Sequence, residues 1–70
     1  MQNVKGFLLN GTKYYTEQNL NIFDLINYFG YDDSLLIIEY NGLICNKKEW
    51  KITFIDNQDK IEIVSIVGGG

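Results

Sequence analysis

"GFLLNGTKYYTEQNLNIFDLINYFG", residues 6–30, contains the first three secondary-structure elements that the sequence predicts. Two runs of β-forming residues flank Asn10-Gly11, the dipeptide best suited to a two-residue type I′ turn, because both turn positions need a positive φ. We therefore predict a β-hairpin over residues 3–16.

The second half of this stretch has the spacing of a helix that is apolar on one side. Asn21 can cap its first turn, Asp24 places negative charge at its positive end, and Gly30 can end it in a left-handed conformation. Leu20 and Leu25 occupy the two positions of a hydrophobic staple. Four apolar residues at helical spacing form the predicted buried stripe: Ile22, Leu25, Ile26 and Phe29.

The rest of the chain predicts strands. "SLLIIEY", residues 34–40, is followed by a second Asn-Gly turn at Asn41-Gly42, by the short strand "LIC" and, after "NKKEW", by an irregular segment up to Ile61. The last strand, "IEIVSIV", is apolar on both faces, which is typical of a strand inside a sheet. Strand, strand, helix, strand, short strand and strand is the order of a β-grasp, or ubiquitin-like, fold. We therefore predict an α+β domain in which a mixed sheet of four to five strands packs on one main helix.

Composition and charge exclude several classes of function. Seventy residues allow one domain with a thin core and no deep pocket. A net charge of −3 argues against nucleic-acid binding, and no apolar run approaches the roughly 20 residues of a membrane span. Because Cys45 is the only cysteine and histidine is absent, the sequence excludes an internal disulfide, a Cys/His zinc site and both Ser-His-Asp and Cys-His catalysis.

The chain ends on three glycines directly after its most apolar strand. We assign residues 1–67 to the β-grasp domain and residues 68–70 to a flexible tail, because glycine has no side chain to pack and loses the most freedom when fixed. Without Cβ atoms such a tail can lie in a narrow channel and present its terminal carboxylate to the active site of another protein. On composition alone, a frayed end or an expression scar remains an equal alternative.

Two segments of the C-terminal half resemble the ThiS sulfur carriers of thiamine biosynthesis, small ubiquitin-like proteins that end in Gly-Gly. "NGLICNKKEW", residues 41–50, resembles the turn, short strand, basic residue and Trp of that family. "DKIEIVSIVGGG", residues 59–70, resembles its acidic turn, last strand and tail. Asn46 stands where the family often has Pro, and Asn57-Gln58-Asp59 where it often has Asp-Gly-Asp; both departures lie in loops, and the tail is intact.

The resemblance implies a carrier and not an enzyme. An E1-like adenylyltransferase of the ThiF type would use ATP to adenylate the carboxylate of Gly70, and sulfur from a cysteine-derived donor would replace AMP to leave a thiocarboxylate. A thiazole synthase of the ThiG type would accept that sulfur. Gly68 and Gly69 would thread the active sites of the partners, and Ile66 and Val67 would contribute to docking. We expect no bound cofactor or metal.

The free chain is expected to be a monomer in the cytoplasm. Residues with A/T-rich codons, such as Ile, Asn and Lys, are abundant, whereas Ala, Arg, Pro and His are absent. This bias is typical of an A/T-rich genome, such as that of some bacteria or of a plastid. If the gene is encoded in an organelle, the expected location of the protein is the plastid stroma.

Other side chains that could carry chemistry favour structural roles. Cys45 lies in an apolar run and is interpreted as a small core residue, and Trp50 as packing and not as an anchor for a partner. Two charged pairs are interpreted as solvated turns and not as catalytic groups: Asp32-Asp33 and Lys47-Lys48.

Three other functions share parts of this pattern. The sulfur carrier of molybdopterin synthesis has the same fold and tail, but it typically carries a proline-containing segment before Gly-Gly, and this chain has no proline. A ubiquitin-like modifier is a second alternative, although no Arg precedes the glycines. A plain interaction domain with an incidental tail is the third.

Overall fold

A computed structural model describes residues 3–32 and 35–65 of the 70-residue chain. These residues form five strands and one α-helix, with a short 3₁₀ helix in the connection to the last strand. In chain order the elements are β1 (Lys5–Leu9), β2 (Thr12–Thr16), α1 (Ile22–Phe29), β3 (Leu36–Tyr40), β4 (Leu43–Cys45), the 3₁₀ helix (Lys47–Glu49) and β5 (Lys60–Ser65). The predicted β-grasp order is confirmed.

The five strands form one mixed sheet in the order β2-β1-β5-β3-β4. The last strand of the chain lies in the centre, parallel to β1 and antiparallel to β3. The prediction that the final strand is interior is therefore correct.

Both Asn-Gly turns have the predicted geometry. Asn10 and Gly11 have φ values of 50° and 82°, and Asn41 and Gly42 have 53° and 85°, as a type I′ turn requires. The side chains of the two asparagines also bind β5: Asn10 Oδ1 accepts from the backbone N–H of Ile63 at 2.8 Å, and Asn41 Oδ1 accepts from that of Lys60 at 2.8 Å. The turns thus attach each hairpin to the central strand.

The helix begins and ends where the sequence predicts. Asn21 Oδ1 accepts from the backbone N–H of Asp24 at 2.7 Å, and an oxygen of Asp24 accepts from that of Asn21 at 3.2 Å, which makes a capping box. Gly30 follows with φ 72° in the left-handed region.

Phe29 corrects the predicted buried stripe. Ile22, Leu25 and Ile26 are buried, but Phe29 is 37% exposed. It lies in the last turn of α1 at the rim of the core, where its ring meets the edge of Tyr14 at a centroid distance of 5.3 Å. The apolar face of the helix is thus shorter than the spacing of its apolar residues suggests.

The core fills the space between α1 and one face of the sheet. Cys45 and Trp50 belong to it, as predicted, and the indole Nε1 of Trp50 donates to the backbone oxygen of Cys45 at 3.0 Å. Its other buried side chains come from β1, α1, β3, β5 and the loop before β5: Phe7, Leu9, Ile22, Leu25, Ile26, Ile38, Ile55, Ile61 and Ile63.

The connection from β4 to β5 contains more structure than expected. Lys47–Glu49, within "NKKEW", form the 3₁₀ helix, in which Lys47 and Lys48 are exposed. In the segment predicted to be irregular, after "NKKEW", Phe54 makes an isolated β-bridge with Asn21. Asp32 is exposed, whereas Asp33 is outside the described residues. The strand predicted to start at Ile61 starts one residue earlier, at Lys60.

Candidate functional site

The candidate site begins at the end of β5, the strand that carries the C-terminal residues. Ile61 and Ile63 are buried on the helix side of this strand. β5 pairs with β3 over five residues, from Tyr40↔Ile61 to Leu36↔Ser65, whereas its pairing with β1 ends at Leu9↔Ile61. Beyond that point the carboxamide of Asn10 continues the bonding on the β1 side. The strand is therefore held on both sides close to Ser65, the last residue described.

A buried carboxylate orders the loop that leads into β5. Asp59 is 8% exposed, and its two oxygens accept three hydrogen bonds from other residues. The donors are the backbone N–H of Asp56 at 2.7 Å, the hydroxyl of Tyr40 at 2.5 Å and Nδ2 of Asn41 at 3.0 Å. Burial, together with the hydrogen bond to Asp59 and the charge of that carboxylate, raises the pKa of Tyr40 above its ordinary value of 10.0. Asp59 thus ties the start of β5 to the β3–β4 turn.

The turn before Asp59 contains a strained residue. Gln58 has φ 69°, a conformation that favours glycine. Its backbone N–H donates to the oxygen of Gly6 at 2.6 Å, and the N–H of Gly6 donates to Oδ1 of Asn57 at 2.8 Å. The turn that differs from the family pattern in sequence is therefore fixed to β1 at the expense of local strain.

The sheet face opposite α1 carries exposed apolar side chains close to the end of β5. Ile37 on β3 and Val64 on β5 are directly opposite each other. Ile44 lies on the neighbouring strand β4, on the same face of the sheet. Their exposed fractions are 37%, 51% and 66%. We call these three residues the open-face patch. Because neighbouring exposed apolar side chains are typical of surfaces that contact other molecules, the patch is a candidate contact surface.

Two carboxylates lie beside the open-face patch. Glu39 on β3 is paired with Glu62 on β5, and its other partner is Ile44 on β4. Like charges on directly opposite residues destabilise a sheet, whereas a basic surface placed against them removes that cost. The face is therefore suited to a partner that is both apolar and basic.

Cys45 does not contribute a reactive group to this surface. Its thiol is buried, and Sγ is 3.7 Å from Oγ1 of Thr53, whose hydroxyl donates to the backbone oxygen of Glu49 at 2.8 Å. Among residues 3–32 and 35–65, no group of three His, Cys, Asp or Glu side chains could hold a metal ion. Within the same ranges, no helix has the length and apolar character needed to cross a membrane.

Comparison with known protein families shows which family this chain belongs to. The model of the ThiS family matches residues 7–70, from β1 to the last glycine. The chain belongs to the ThiS family. The sequence resemblance noted above is thereby confirmed, on a match that includes the hairpin and the helix as well as the two C-terminal segments.

The chain is also similar to curated proteins and to a solved structure. The chain is 58% identical over 66 residues to the uncharacterized protein ycf40 of Trieres chinensis, covering 94% of this chain and 90% of the relative. It is 34% identical over 62 residues to ycf40 of Porphyra purpurea, covering 89% and 87%. The crystal structure of the thiamine biosynthesis protein ThiS from Geobacter metallireducens matches with a TM-score of 0.79 at 20% identity, over 93% of this chain and 99% of that one. The last match shows that the fold is shared.

The predicted site residues of this ThiS-family chain are at its C-terminus. Gly68, Gly69 and Gly70, with the predicted docking residues Ile66 and Val67, lie outside the described residues. Their roles, and the boundary of the domain at residue 67, therefore stay predictions.

The sequence alone does not identify the open-face patch, although the alternation of strand residues contains part of the signal. In "IEIVSIV" that alternation puts Val64 on the face opposite Ile61 and Ile63, but Ile37 and Ile44 belong to other strands. Only the strand register brings the three together.

Proposed function

We propose that this chain is a sulfur carrier protein of thiamine biosynthesis, in which sulfur travels on the carboxylate of Gly70. The observation that carries the proposal is that the ThiS family match extends through the C-terminal glycines. An activating enzyme of the ThiF type adenylates the Gly70 carboxylate with ATP and releases pyrophosphate. Sulfur from a cysteine-derived donor then replaces AMP, and the thiocarboxylate supplies sulfur to a thiazole synthase of the ThiG type.

The body of the domain supports this role by holding the root of the tail. Gly70 is the fifth residue after Ser65, and an extended chain of that length spans at most about 18 Å. Since β5 is fixed between β1 and β3, the reach of Gly70 is measured from a rigid point on the sheet. A partner that binds the sheet near Val64 can thus receive the Gly70 carboxylate within that maximum distance of Ser65.

The open-face patch is the surface we propose for docking, together with Ile66 and Val67. An apolar and basic surface of the activating enzyme would cover Ile37, Ile44 and Val64 and neutralise the two adjacent glutamates. All acid, base and nucleophile roles then belong to the partners, which agrees with a chain that has no histidine and a buried thiol. The chain itself binds no cofactor in this scheme.

We place the carrier in the plastid stroma. Relatives that carry the name ycf40 are encoded in plastid genomes, and the A/T-rich codon bias of the composition agrees with that origin. The bacterial cytoplasm is the alternative for a carrier encoded elsewhere.

Intact-mass spectrometry tests the proposed chemistry. After co-expression with an activating enzyme of the ThiF type and a sulfur source, we expect a mass that corresponds to one oxygen replaced by one sulfur. Deletion of Gly70 should abolish that change, whereas Cys45→Ser should retain it, because the thiol lies in the core and outside the reaction. Sulfur found on Cys45, or an unchanged mass in the presence of active partners, would contradict the proposal.

The identity of the sulfur acceptor separates the proposal from its relatives. Thiazole formation from the thiocarboxylate by a synthase of the ThiG type supports a thiamine role. Transfer to a molybdopterin precursor, or linkage of Gly70 to lysines of other proteins, would instead identify one of the two alternative carriers of this fold.

A further inference from the structure

The edge strand β2 has one side of its backbone free of any strand in the described part of the chain. β2 is the first strand in the sheet order, and β1 is its one neighbour there. The amides of Gly6, Leu8 and Asn10 all bond to the other side of β1, where Asn57 Oδ1, the oxygen of Asp59 and the oxygen of Ile61 accept them at 2.8, 2.9 and 2.9 Å. The backbone groups of the alternate residues of β1, Lys5, Phe7 and Leu9, therefore point toward β2.

This alternation fixes which groups of β2 point outward. Thr12, Tyr14 and Thr16 lie opposite the β1 residues that face β2, so their backbone groups are used within the sheet. The N–H and C=O groups of Lys13 and Tyr15 point away from the sheet. The free edge is a row of donors and acceptors that matches an added antiparallel strand.

We propose that this edge pairs with the β2 edge of a second copy of the chain, in an antiparallel register centred on Tyr15. In that register the two Tyr15 backbones bond to each other, and Lys13 lies opposite Glu17 of the second copy on both sides of the two-fold axis. Shifting the second copy by two residues in either direction still pairs outward-facing backbone groups with each other. Each of these shifts, however, removes both Lys–Glu pairs. Lys13 on the strand and Glu17 directly after it thus select one arrangement, and the two-fold axis repeats the Lys–Glu pair twice.

Both charges are available for that pairing. Lys13 and Glu17 are exposed, and the side chain of Glu17 forms no hydrogen bond or ion pair with another described residue. The ammonium of Lys13 lies 5.7 Å from the centre of the Tyr15 ring on the same strand. Lysine on an edge strand opposes indiscriminate pairing, but here Glu17, in the bend that directly follows β2, supplies its complement two residues beyond Tyr15.

The side chains around this edge also favour a covered surface. Tyr15 is 68% exposed and Tyr28 is 82% exposed. An open groove of about 590 Å³ runs between β2 and α1 and is lined by these two tyrosines together with Tyr14 and Phe29. The register centred on Tyr15 sets Tyr14 opposite Thr16 of the second copy, so the grooves of the two copies meet at the contact. The opposite edge strand, β4, has only three residues and offers less backbone.

The pairing replaces the monomer expected from the sequence with a reversible dimer and is independent of sulfur transfer. β1 separates the β2 edge from Val64, the nearest residue of the open-face patch, and the other two residues of the patch lie on strands further away, so the proposed docking face stays accessible.

Sedimentation equilibrium of purified full-length chain tests the pairing. We expect the average mass to rise toward that of a dimer between about 10 μM and 1 mM, the range of weak association. Lys13→Glu places glutamates opposite each other, and Glu17→Lys places lysines opposite each other, so each should weaken association by about tenfold or more. The matched controls are Lys48→Glu and Glu49→Lys, which make the same changes in net charge at exposed positions outside the edge and should leave association unchanged.

Mixing the two edge variants tests the register. In a mixed pair every glutamate introduced at position 13 faces a lysine introduced at position 17, so Lys13→Glu and Glu17→Lys should associate with each other at close to wild-type affinity. The double variant should likewise recover self-association. A wild-type chain that stays monomeric at about 1 mM overturns the proposal. So do single variants that self-associate like wild type, or a mixture that does not associate.

Discussion

A single carboxylate, that of Asp59, organises the entry to the central strand. Its oxygens accept from a backbone N–H three residues earlier and from two side chains that lie 18 and 19 residues earlier in the β3–β4 hairpin. Buried carboxylates are stable when hydrogen bonds satisfy their oxygens, as they are here. The sequence resemblance marked this residue as part of an acidic turn, but its donors could not be foreseen, because they depend on the register of β3 beside β5.

Asp59→Asn should destabilise the domain with little change in shape. The amide NH₂ group replaces an acceptor with a donor, so at least one of the groups around it loses its partner, at a cost of about 2 kcal/mol in the free energy of unfolding. Urea denaturation measures this cost. Asp56→Asn is the matched control, since Asp56 is exposed and is expected to change stability by less than about 0.5 kcal/mol. Equal effects of the two substitutions would show that the buried network is not what stabilises the loop.

Gln58→Gly should stabilise the protein. A left-handed conformation costs an ordinary residue about 1–2 kcal/mol, and the greater freedom that glycine loses on folding offsets part of the relief, which leaves a net gain of about 0.5 kcal/mol. Gln18, which is exposed and does not have a positive φ, provides the control: Gln18→Gly should instead lower stability. Thermal melts of both variants decide the point, and a loss of stability in Gln58→Gly would refute the assignment of strain to this turn.

Cys45→Ser should cost about 1 kcal/mol and leave sulfur transfer unchanged. The cost lies at the low end for placing a hydroxyl in a core, because Oγ1 of Thr53 is within reach of the new group. Chemical denaturation measures the stability, and thiazole formation measures transfer. A variant that folds normally but accepts no sulfur would assign the thiol a role that its burial argues against.

The β1–β2 turn shows how one element both reverses the chain and completes the sheet. Asn10 supplies the positive φ of the turn and the acceptor for the N–H of Ile63 on β5. Asn10→Gly keeps the first property and removes the second, so it should cost about 1 kcal/mol through the lost hydrogen bond. Gly11→Asn is the control, since asparagine tolerates a positive φ and no atom lies within 4 Å of a Cβ there. If both substitutions cost the same, the side chain of Asn10 does not anchor β5.

Sequence alone predicted the elements whose signals are local. Asn-Gly dipeptides identified both hairpins, and the spacing of Ile22, Leu25 and Ile26 with Asn21 and Gly30 at its ends identified the helix. The central position of β5 followed from its two apolar faces. The Asn21↔Phe54 bridge was not predicted, because it joins residues distant in sequence. The 3₁₀ helix was also missed, although its hydrogen bonds are local, because a single short turn has no apolar periodicity.

The candidate site divides in the same way. The glycine tail is visible in the sequence as composition, whereas the open-face patch exists only after three strands adopt their register. In the sequence, Ile37 and Ile44 look like ordinary strand residues. The strand register places Ile37 opposite Val64 on β5 and Ile44 opposite Glu39 on β3, which brings the two isoleucines to the same face of the sheet.

At the scale of the whole molecule, the proposed function separates into docking by the folded body and chemistry at the tail. Ile44→Gln tests the first part. The side chain of Ile44 is 66% exposed and lies opposite Glu39 on β3, so a neutral substitution adds no like charge there and should change the stability of the free domain by less than about 0.5 kcal/mol. Burying the amide of glutamine under an apolar partner surface should weaken binding to the activating enzyme. The tail remains intact, so adenylation should recover at a high concentration of the carrier.

Gly69→Val tests the second part and should have the opposite signature. If the last two glycines enter a constricted channel to reach bound ATP, a branched side chain at residue 69 blocks the channel and disfavours backbone conformations that glycine alone reaches. We expect the rate of pyrophosphate exchange with the ThiF-type enzyme to fall by orders of magnitude and not to recover at high carrier concentration, since the body still docks but the carboxylate cannot arrive. The melting temperature should equal that of the wild type, because residue 69 lies beyond the strand that completes the core. Exchange at the wild-type rate would mean that the tail does not enter a narrow site, and exchange that recovers at high concentration would mean that the glycines contribute to binding and not to access.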